Sequence, residues 1–124
     1  MAQNKIECFG PVALTNTLTT NIFAPAAAGA SGVGYTPTAS YLLIKHLRIV
    51  NKTAASHTFS LYKGATGANA AGTEFMGLGT AVAANSYVDW YGSLKLEGTN
   101  GFLVGGADAN TALTIQGEGE VGLV

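Results

Sequence analysis

Apolar and polar residues alternate along most of the chain with a period of two. Side chains two positions apart on a strand point to the same side, so this pattern is typical of strands with one buried face. In the segment 12–23, apolar residues of one parity alternate mainly with Thr and Asn, and similar patterns recur at 57–62, 87–97 and 112–123. The alternation therefore predicts a protein built from half-buried β-strands.

Eight strands follow from these segments and from the turn residues between them. Stretches rich in Gly, Ala and Asn, such as 64–72, 83–86 and 105–110, have the composition of turns. No segment combines the apolar stripe of a helix with caps at both ends. The predicted strands lie at 5–9, 12–23, 41–51, 57–63, 74–83, 87–97, 101–106 and 112–123. Strands of this number and spacing predict an all-β fold, an antiparallel β-sandwich of about eight strands with a jelly-roll-like arrangement.

One long segment interrupts the alternation. Residues 24–40 are rich in Ala and Gly and carry Tyr35. We expect an extended loop, which either lies against another subunit or has no role, because long unstructured segments in compact domains are uncommon and usually functional. The 124 residues are predicted to form a single domain, 1–124, with residues 1–10 as an N-terminal arm or first strand.

Charged residues make up only 10% of the chain, and the net charge is −1. A nucleic-acid-binding protein needs a basic surface, so we expect no nucleic-acid partner. So few charges favour association, which suggests that partners cover part of the surface. The N-terminus lacks the features of a signal peptide, and no apolar run approaches about 18 residues. We therefore expect a protein that folds in the cytosol without entering a membrane.

Both histidines and four of the six basic residues lie in the segment 45–67, which raises the hypothesis of a metal or catalytic site. A hairpin that is symmetric about Thr53–Ala54 would keep His57 away from His46, and no acidic residue lies near them in sequence to complete a metal site. Alternation places His46 and Arg48 on one face of a strand. We expect polar-face histidines, with no metal and no cofactor.

Other candidate motifs have simpler interpretations. The segment KGATG lacks the spacing of a phosphate-binding loop, and no G-x-S-x-G motif is present. Glu118 and Glu120 share a face and are expected to be solvated, and the glycosylation-like pattern Asn51–Thr53 is expected to be a turn. The single Cys8 excludes an internal disulfide and is expected to be a buried or half-buried thiol near the first strand. We predict that the chain is not an enzyme.

The segment VDWYG offers one further possibility. Tyr87 and Tyr91 flank Asp89 on one parity, which is expected to point outward, with Trp90 between them on the other. Aromatic rings beside a carboxylate are suited to stacking on sugars, so a carbohydrate-binding module is an alternative of a different class.

From about residue 43 onward the chain resembles a small β-sandwich module of tailed-bacteriophage virions. The resemblance lies in LRIVNKTAASHTFSLYKGATG and in VAANSYVDWYGSLKLEGTNGFLVGGADANTALTIQGEGEV, and it covers about two-thirds of the chain. Modules of this kind serve as capsid decoration (cement) proteins, head fibres, neck proteins or tail components. The resemblance implies a virion protein that is assembled in the bacterial host cytoplasm, and it transfers no catalytic residue.

The resemblance and the composition together predict a protein that works by contact. We expect a capsid decoration protein that stabilises the head by bridging capsid subunits, with a neck, head-fibre or tail component as the alternative. The expected partners are the major capsid protein and the chain itself, as a homodimer or homotrimer. Aromatic residues are enriched at interfaces. The candidate interface residues are Phe9, Tyr35, Tyr87, Trp90 and Tyr91.

Overall fold

The computed structural model describes residues 5–19, 21–23, 39–64, 72–97 and 101–123. Within these residues the chain forms β-strands and no helix, so none of them forms a helix that could cross a membrane. The strands are β1 (Lys5–Ala13), β2 (Asn21–Phe23), β3 (Ala39–Asn51), β4 (His57–Lys63), β5 (Phe75–Val82), β6 (Ser86–Glu97), β7 (Leu103–Ala107) and β8 (Leu113–Leu123).

The eight strands form two antiparallel sheets, in the orders β1-β8-β3-β6 and β2-β7-β4-β5. The first strand pairs with the last, the second with the seventh, the third with the sixth and the fourth with the fifth. The chain is thus a long antiparallel ribbon folded over on itself, which is the jelly-roll topology. The predicted all-β sandwich of eight strands is confirmed.

The hydrophobic core contains buried side chains from both sheets. Leu47 of β3 and Phe59 of β4 are both almost completely removed from solvent, and both belong to the same buried cluster. Phe9 of β1 contacts Phe23 of β2, with ring centroids 5.9 Å apart. Burial of apolar area contributes about 25 cal/mol per Å², so this layer is the main source of stability.

β1 continues beyond the point at which the sequence predicts its end. Its pairing with β8 shifts register between Phe9 and Val12, which indicates a bulge at Gly10–Pro11. Gly10 has a φ of 81°, a conformation that glycine adopts readily. The predicted strand 12–23 is therefore wrong in its extent, because its first residues belong to β1 and β2 is only three residues long.

A second bulge changes which side chains of β3 face the core. The register with β8 shifts between Ile44 and His46, so that Lys45 is the extra residue, whereas against β6 the extra residue lies on β6, between Tyr91 and Leu94. Ile44 before the bulge and Leu47 after it are both fully buried, although strict alternation places them on opposite faces. His46 consequently faces outward.

β3 and β4 do not form the predicted hairpin about Thr53–Ala54. β3 pairs with β6 and β8, whereas β4 pairs with β5 and β7, so the connection 52–56 crosses from one sheet to the other. The buried side chain of Asn51 holds this crossing, because its Nδ2 donates to the carbonyl oxygens of Ala55 at 2.8 Å and Val82 at 3.0 Å. The turn predicted at Asn51 is thus a crossing between sheets.

The predicted loop 24–40 lies mostly outside the described residues. Ala39 and Ser40 at its end belong to β3.

Candidate functional site

The two sheets differ in how much of their outer faces is exposed. In β4 every residue from Phe59 to Tyr62 is buried, and so is all of β7. Part of the cover over β7 is the β1–β2 connection, since the backbone N of Ala107 donates to the carbonyl oxygen of Thr15 at 2.8 Å. The β1-β8-β3-β6 sheet, by contrast, exposes side chains from all four strands. Its outer surface is therefore more accessible than the outer surface of the other sheet at β4 and β7.

We call the outward-facing positions of this sheet the open face. The strand registers align them in rows: Ile6–Glu120–Leu43–Lys95, then Cys8–Glu118–His46–Tyr91, then Gln116–Arg48–Asp89, and finally Ala13–Thr114–Val50–Tyr87. Neighbouring side chains in such a row are close enough to interact.

A network of charged side chains crosses the middle of the open face. Arg48 donates from Nε to Oδ1 of Asp89 at 2.7 Å and from Nη2 to Oδ2 at 3.1 Å. Nε2 of His46 lies 2.8 Å from the same Oδ1, and its Nδ1 lies 3.3 Å from Oε1 of Glu118. The imidazole therefore bridges carboxylates on the two strands that flank its own, and three strands are cross-linked.

The electrostatic effect of this network is largest at Asp89. The hydrogen bonds from Arg48, followed by the contact with His46, lower the pKa of this carboxyl group to about 2. The hydrogen bonds between Arg48 and Asp89 also raise the pKa of the Arg48 guanidinium above its ordinary value. Asp89 is thus held as a carboxylate in a bidentate ion pair, a geometry that fixes the orientation of both side chains.

Two tyrosines lie on top of this network. The ring of Tyr91 stacks on His46, with centroids 4.6 Å apart and planes inclined by 14°. The guanidinium carbon of Arg48 lies 4.3 Å from the centroid of the Tyr87 ring. Tyr91 is nevertheless 73% exposed and Tyr87 55% exposed. The network therefore supports both rings from one side and leaves them available for contact.

The open face does not bring a thiol and a base into reach of each other. Cys8 is exposed, so the expectation of a buried or half-buried thiol is wrong, and it lies in the same row as His46, with Glu118 on the strand between them. Two strand spacings amount to about 9.6 Å, whereas a base must lie within hydrogen-bond distance of the nucleophile that it activates. No cluster of three or more metal-ligating side chains occurs among the described residues.

The second histidine lies in the other sheet. Nδ1 of His57 on β4 lies 2.9 Å from Oδ1 of Asp108, in the connection that follows β7. His46 and His57 therefore lie apart, as the sequence predicts. The predicted reason, an offset within a hairpin, is wrong, because the two histidines lie in different sheets.

The candidate interface residues occupy different environments. Tyr87 and Tyr91 lie on the open face. Trp90 lies on the opposite face of β6, where it is half-buried and packs against the core. Phe9 is only 4% exposed and contacts Phe23, so it is a core residue and is no longer a candidate interface residue. Tyr35 lies outside the described residues.

Other residues of the open face were missed at the level of sequence. The sequence predicts that Glu118 is solvated, but in the structure its carboxylate contacts His46. Ile6 is 89% exposed, the most exposed of the large apolar side chains described. The sequence contains one sign of this network, because alternation places His46 and Arg48 on one face of their strand and directs Asp89 outward from its own. The order of the strands, which brings these three side chains together, cannot be read from the sequence.

Comparisons with known proteins do not identify a family for this chain. No protein-family model matches the chain, and no curated protein matches it. Function must therefore be inferred from the open face and from the resemblance described above.

Proposed function

We propose that the chain is a non-enzymatic structural protein of a tailed-bacteriophage virion, and specifically a capsid decoration protein that bridges neighbouring subunits of the shell. The observation that carries the proposal is the open face, a four-stranded sheet surface with exposed tyrosines above a cross-linked charge network. Such a surface is suited to contact with another protein, because Tyr and Arg are enriched at interfaces.

The pairing of charges within the open face also supports a role in contact. Arg48 and His46 are engaged by carboxylates of the same face, and Nζ of Lys95 lies 3.3 Å from Oε2 of Glu97. Side chains that are already oriented lose less conformational entropy when a partner binds. The face is therefore preorganised for binding.

The mechanism of stabilisation would be preferential binding to the assembled shell. A protein that binds assembled capsid subunits, and not dissociated ones, shifts the equilibrium toward the shell by mass action. Because a shell repeats the same site many times, contacts of modest strength can act together through an oligomer of the decoration protein.

Rebinding to shells tests this proposal. Shells of the virus that encodes the chain, depleted of the protein, should bind the purified chain and then melt at a higher temperature in scanning calorimetry. Copy number per virion separates the alternatives, since hundreds of copies indicate decoration and a dozen or fewer indicate a neck or tail component. Failure to bind shells would overturn the decoration role.

A carbohydrate-binding module is the second candidate, favoured by the exposure of Tyr87 and Tyr91 on one face. Four residues along a strand correspond to about 13 Å, so the two rings could contact different units of an extended glycan. Glycan-array binding that is lost in Tyr91→Ala, with the fold retained, would favour this candidate. Absence of glycan binding by the unmodified chain would exclude it for the glycans tested.

A further inference from the structure

A groove crosses the open face at the end where β3 finishes and β6 begins. Its floor includes Thr114, Val50 and Tyr87, which are neighbours in the last row of this face. Two hollows lie along it, one of about 430 Å³ and one of about 210 Å³, and both are lined by Val50 and Lys52. We call these two hollows together the Lys52 groove. The larger hollow alone has the volume of a small-molecule site, since such sites measure about 300–1,000 Å³.

Lys52 is a positive charge that has no partner in this groove. Among the described residues, no hydrogen bond or ion pair engages its ammonium group, and none of the residues that line the two hollows carries a carboxylate. The described carboxylates of the open face, by contrast, have partners within the chain: Asp89, Glu97, Glu118 and Glu120. The Lys52 groove therefore attracts an anionic ligand.

The groove also contains uncharged polar side chains that make no hydrogen bond within the described part of the chain. They are Thr114 and Gln116 on β8 and Asn85 in the β5–β6 connection. A hydroxyl group and a side-chain amide can each donate and accept hydrogen bonds. The hydroxyl groups of a sugar also do both, so these side chains are suited to a ligand that carries several hydroxyl groups.

The floor of the groove recognises a ligand through side chains and not through the backbone. β8 and β3 are the two inner strands of their sheet, so their backbone groups belong to ladders on both sides. A peptide that binds by strand addition needs an unpaired edge. The position of the groove therefore favours a ligand other than an extended peptide.

Tyr87 adds an aromatic surface at one end of the groove. Its ring is 55% exposed, and the guanidinium carbon of Arg48 lies 4.3 Å from the ring centroid. The ring is thus supported on one side and accessible for stacking, and an aromatic ring offers an apolar surface to the C–H groups of a sugar. Tyr87 and Lys52 line the same hollow, so one sugar can contact both.

We propose that the Lys52 groove binds acidic saccharides, that is, sugars whose ring carries a carboxylate, such as uronic or sialic acids. Lys52 pairs with the carboxylate through a charge-assisted hydrogen bond, Tyr87 stacks on the sugar ring, and Thr114 and Gln116 bind its hydroxyl groups. The inference goes beyond the decoration role and does not require it. It rests on the carbohydrate-binding candidate, which it narrows from the two tyrosines of β6 to a groove across the strands.

The first test is calorimetric titration of the full chain with a trisaccharide of galacturonic acid and with sialyllactose. We expect at least one of them to bind, and its methyl ester, which has no negative charge, to bind at least about tenfold more weakly. Tetraglutamate is the control for charge alone, and it should bind much more weakly than the saccharide. If tetraglutamate binds as tightly, the groove selects acidic peptides or any anion, and the inference is wrong.

Substitutions then locate the site. Lys52→Gln should weaken binding of the acidic saccharide at least about tenfold, and the exposed position of Lys52 should leave the fold intact. Lys63→Gln is the matched control, because it removes the same charge from an exposed position on β4 in the other sheet and should leave the affinity unchanged.

The two tyrosines of β6 separate the groove from the rest of the open face. Tyr87→Ala should weaken binding of the acidic saccharide, because the stacking surface is lost. Tyr91→Ala should not, since four residues along a strand place its ring about 13 Å from Tyr87. Circular dichroism checks that each variant is folded, and the comparison of acid with methyl ester needs no variant at all.

The inference is overturned if neither acidic saccharide binds, if the methyl ester binds as tightly as the acid, or if Lys52→Gln and Lys63→Gln have equal effects. These outcomes are distinguishable from failure of the proposed function. A chain that stabilises shells but ignores acidic saccharides keeps the decoration role and loses the groove. A chain that binds neutral glycans, with loss in Tyr91→Ala and not in Lys52→Gln, keeps the carbohydrate-binding candidate and again loses the groove.

Discussion

Arg48 and Asp89 face each other on β3 and β6 and are joined by two hydrogen bonds, of 2.7 and 3.1 Å. β6 is an edge strand, held to the sheet by β3 alone. The ion pair therefore adds a side-chain link to the backbone ladder at the outer strand of the open face. Because the guanidinium also supports the Tyr87 ring, the same pair links the stability of the strand to the shape of the contact surface.

The first prediction concerns acid stability. The pKa of Asp89 lies at about 2 in the folded chain, against an ordinary value of 3.8. A carboxyl group with a lowered folded pKa contributes stability that is fully present above its unfolded pKa and is lost as the pH falls through its folded pKa. We expect the difference in unfolding free energy between wild type and Asp89→Asn to narrow between about pH 4 and pH 2. Urea unfolding over a pH series measures it.

The control for this prediction is Arg48→Gln, which removes the main cause of the shift. In that variant the pKa of Asp89 should rise toward 3.8, so the part of the acid-induced loss of stability that comes from Asp89 should shrink, because its folded and unfolded pKa values then nearly coincide. If the difference in unfolding free energy between wild type and Asp89→Asn stays constant from about pH 4 to pH 2, the ion pair does not contribute to folding.

The second prediction separates core from surface among the aromatic residues. Phe9→Ala should lower the unfolding free energy by about 3–5 kcal/mol, since it opens a cavity beside Phe23. Tyr91→Ala should cost less than about 1 kcal/mol in the monomer, because only the stacking on His46 is lost from an exposed ring. Chemical denaturation at a concentration at which the chain is monomeric measures both; equal losses would contradict the assignment.

The sequence predicts the number and type of the strands because alternation is a local property. It fails where one residue is inserted into a strand, as Lys45 is relative to β8, since a bulge reverses the parity of every position beyond it. It also fails at the β3–β4 connection, where a short polar segment looks like a hairpin turn although β3 and β4 pair with other strands. Jelly-roll pairing joins strands that are far apart in sequence, and no local pattern contains that information.

The same limit applies to the open face. His46 lies 43 residues from Asp89 in the chain, and 72 positions separate it from Glu118, so their contacts depend entirely on strand order. What the sequence does provide is the direction of each side chain. The outward orientation of Asp89 and the shared face of His46 and Arg48 are correct predictions, and the network follows once β8, β3 and β6 are known to be neighbours.

The third prediction concerns Asn51, whose side chain is fully buried at the crossing between sheets. Its Nδ2 donates to two carbonyl oxygens, and its Oδ1 accepts from the backbone N of Thr53 at 2.9 Å. Asn51→Asp replaces the donor with a carboxylate oxygen that faces two carbonyl oxygens. We expect a loss of about 3 kcal/mol or more in unfolding free energy at neutral pH, because a buried polar group is left without a partner.

The matched control for this change is Asn85→Asp. Asn85 is exposed and has a φ of 53°, a conformation that Asp also tolerates. Its replacement should change stability by less than about 0.5 kcal/mol. Similar effects of the two substitutions in a thermal melt would mean that Asn51 does not hold the crossing.

The fourth prediction concerns the glycines that alternate with glutamates on β8. Gly119 lies directly opposite Ile44, and a Cβ atom there would collide with the carbonyl oxygen of Leu43 on the neighbouring backbone. Gly119→Ala must therefore push β8 away from β3, at the centre of the sheet that carries the open face. We expect a loss of about 3 kcal/mol or more in unfolding free energy.

Gly79→Ala is the informative comparison, since the two substitutions add the same methyl group for different reasons. Gly79 has a φ of 63° but no atom within 4 Å of the added Cβ, so only backbone strain of about 1 kcal/mol is expected there. Urea unfolding of both variants tests whether close approach of strands, rather than backbone conformation, requires glycine on β8. If Gly119→Ala is no more destabilising than Gly79→Ala, then β8 can move away from β3 without loss, and the fixed register that positions Glu118 beside His46 is not a rigid feature of the sheet.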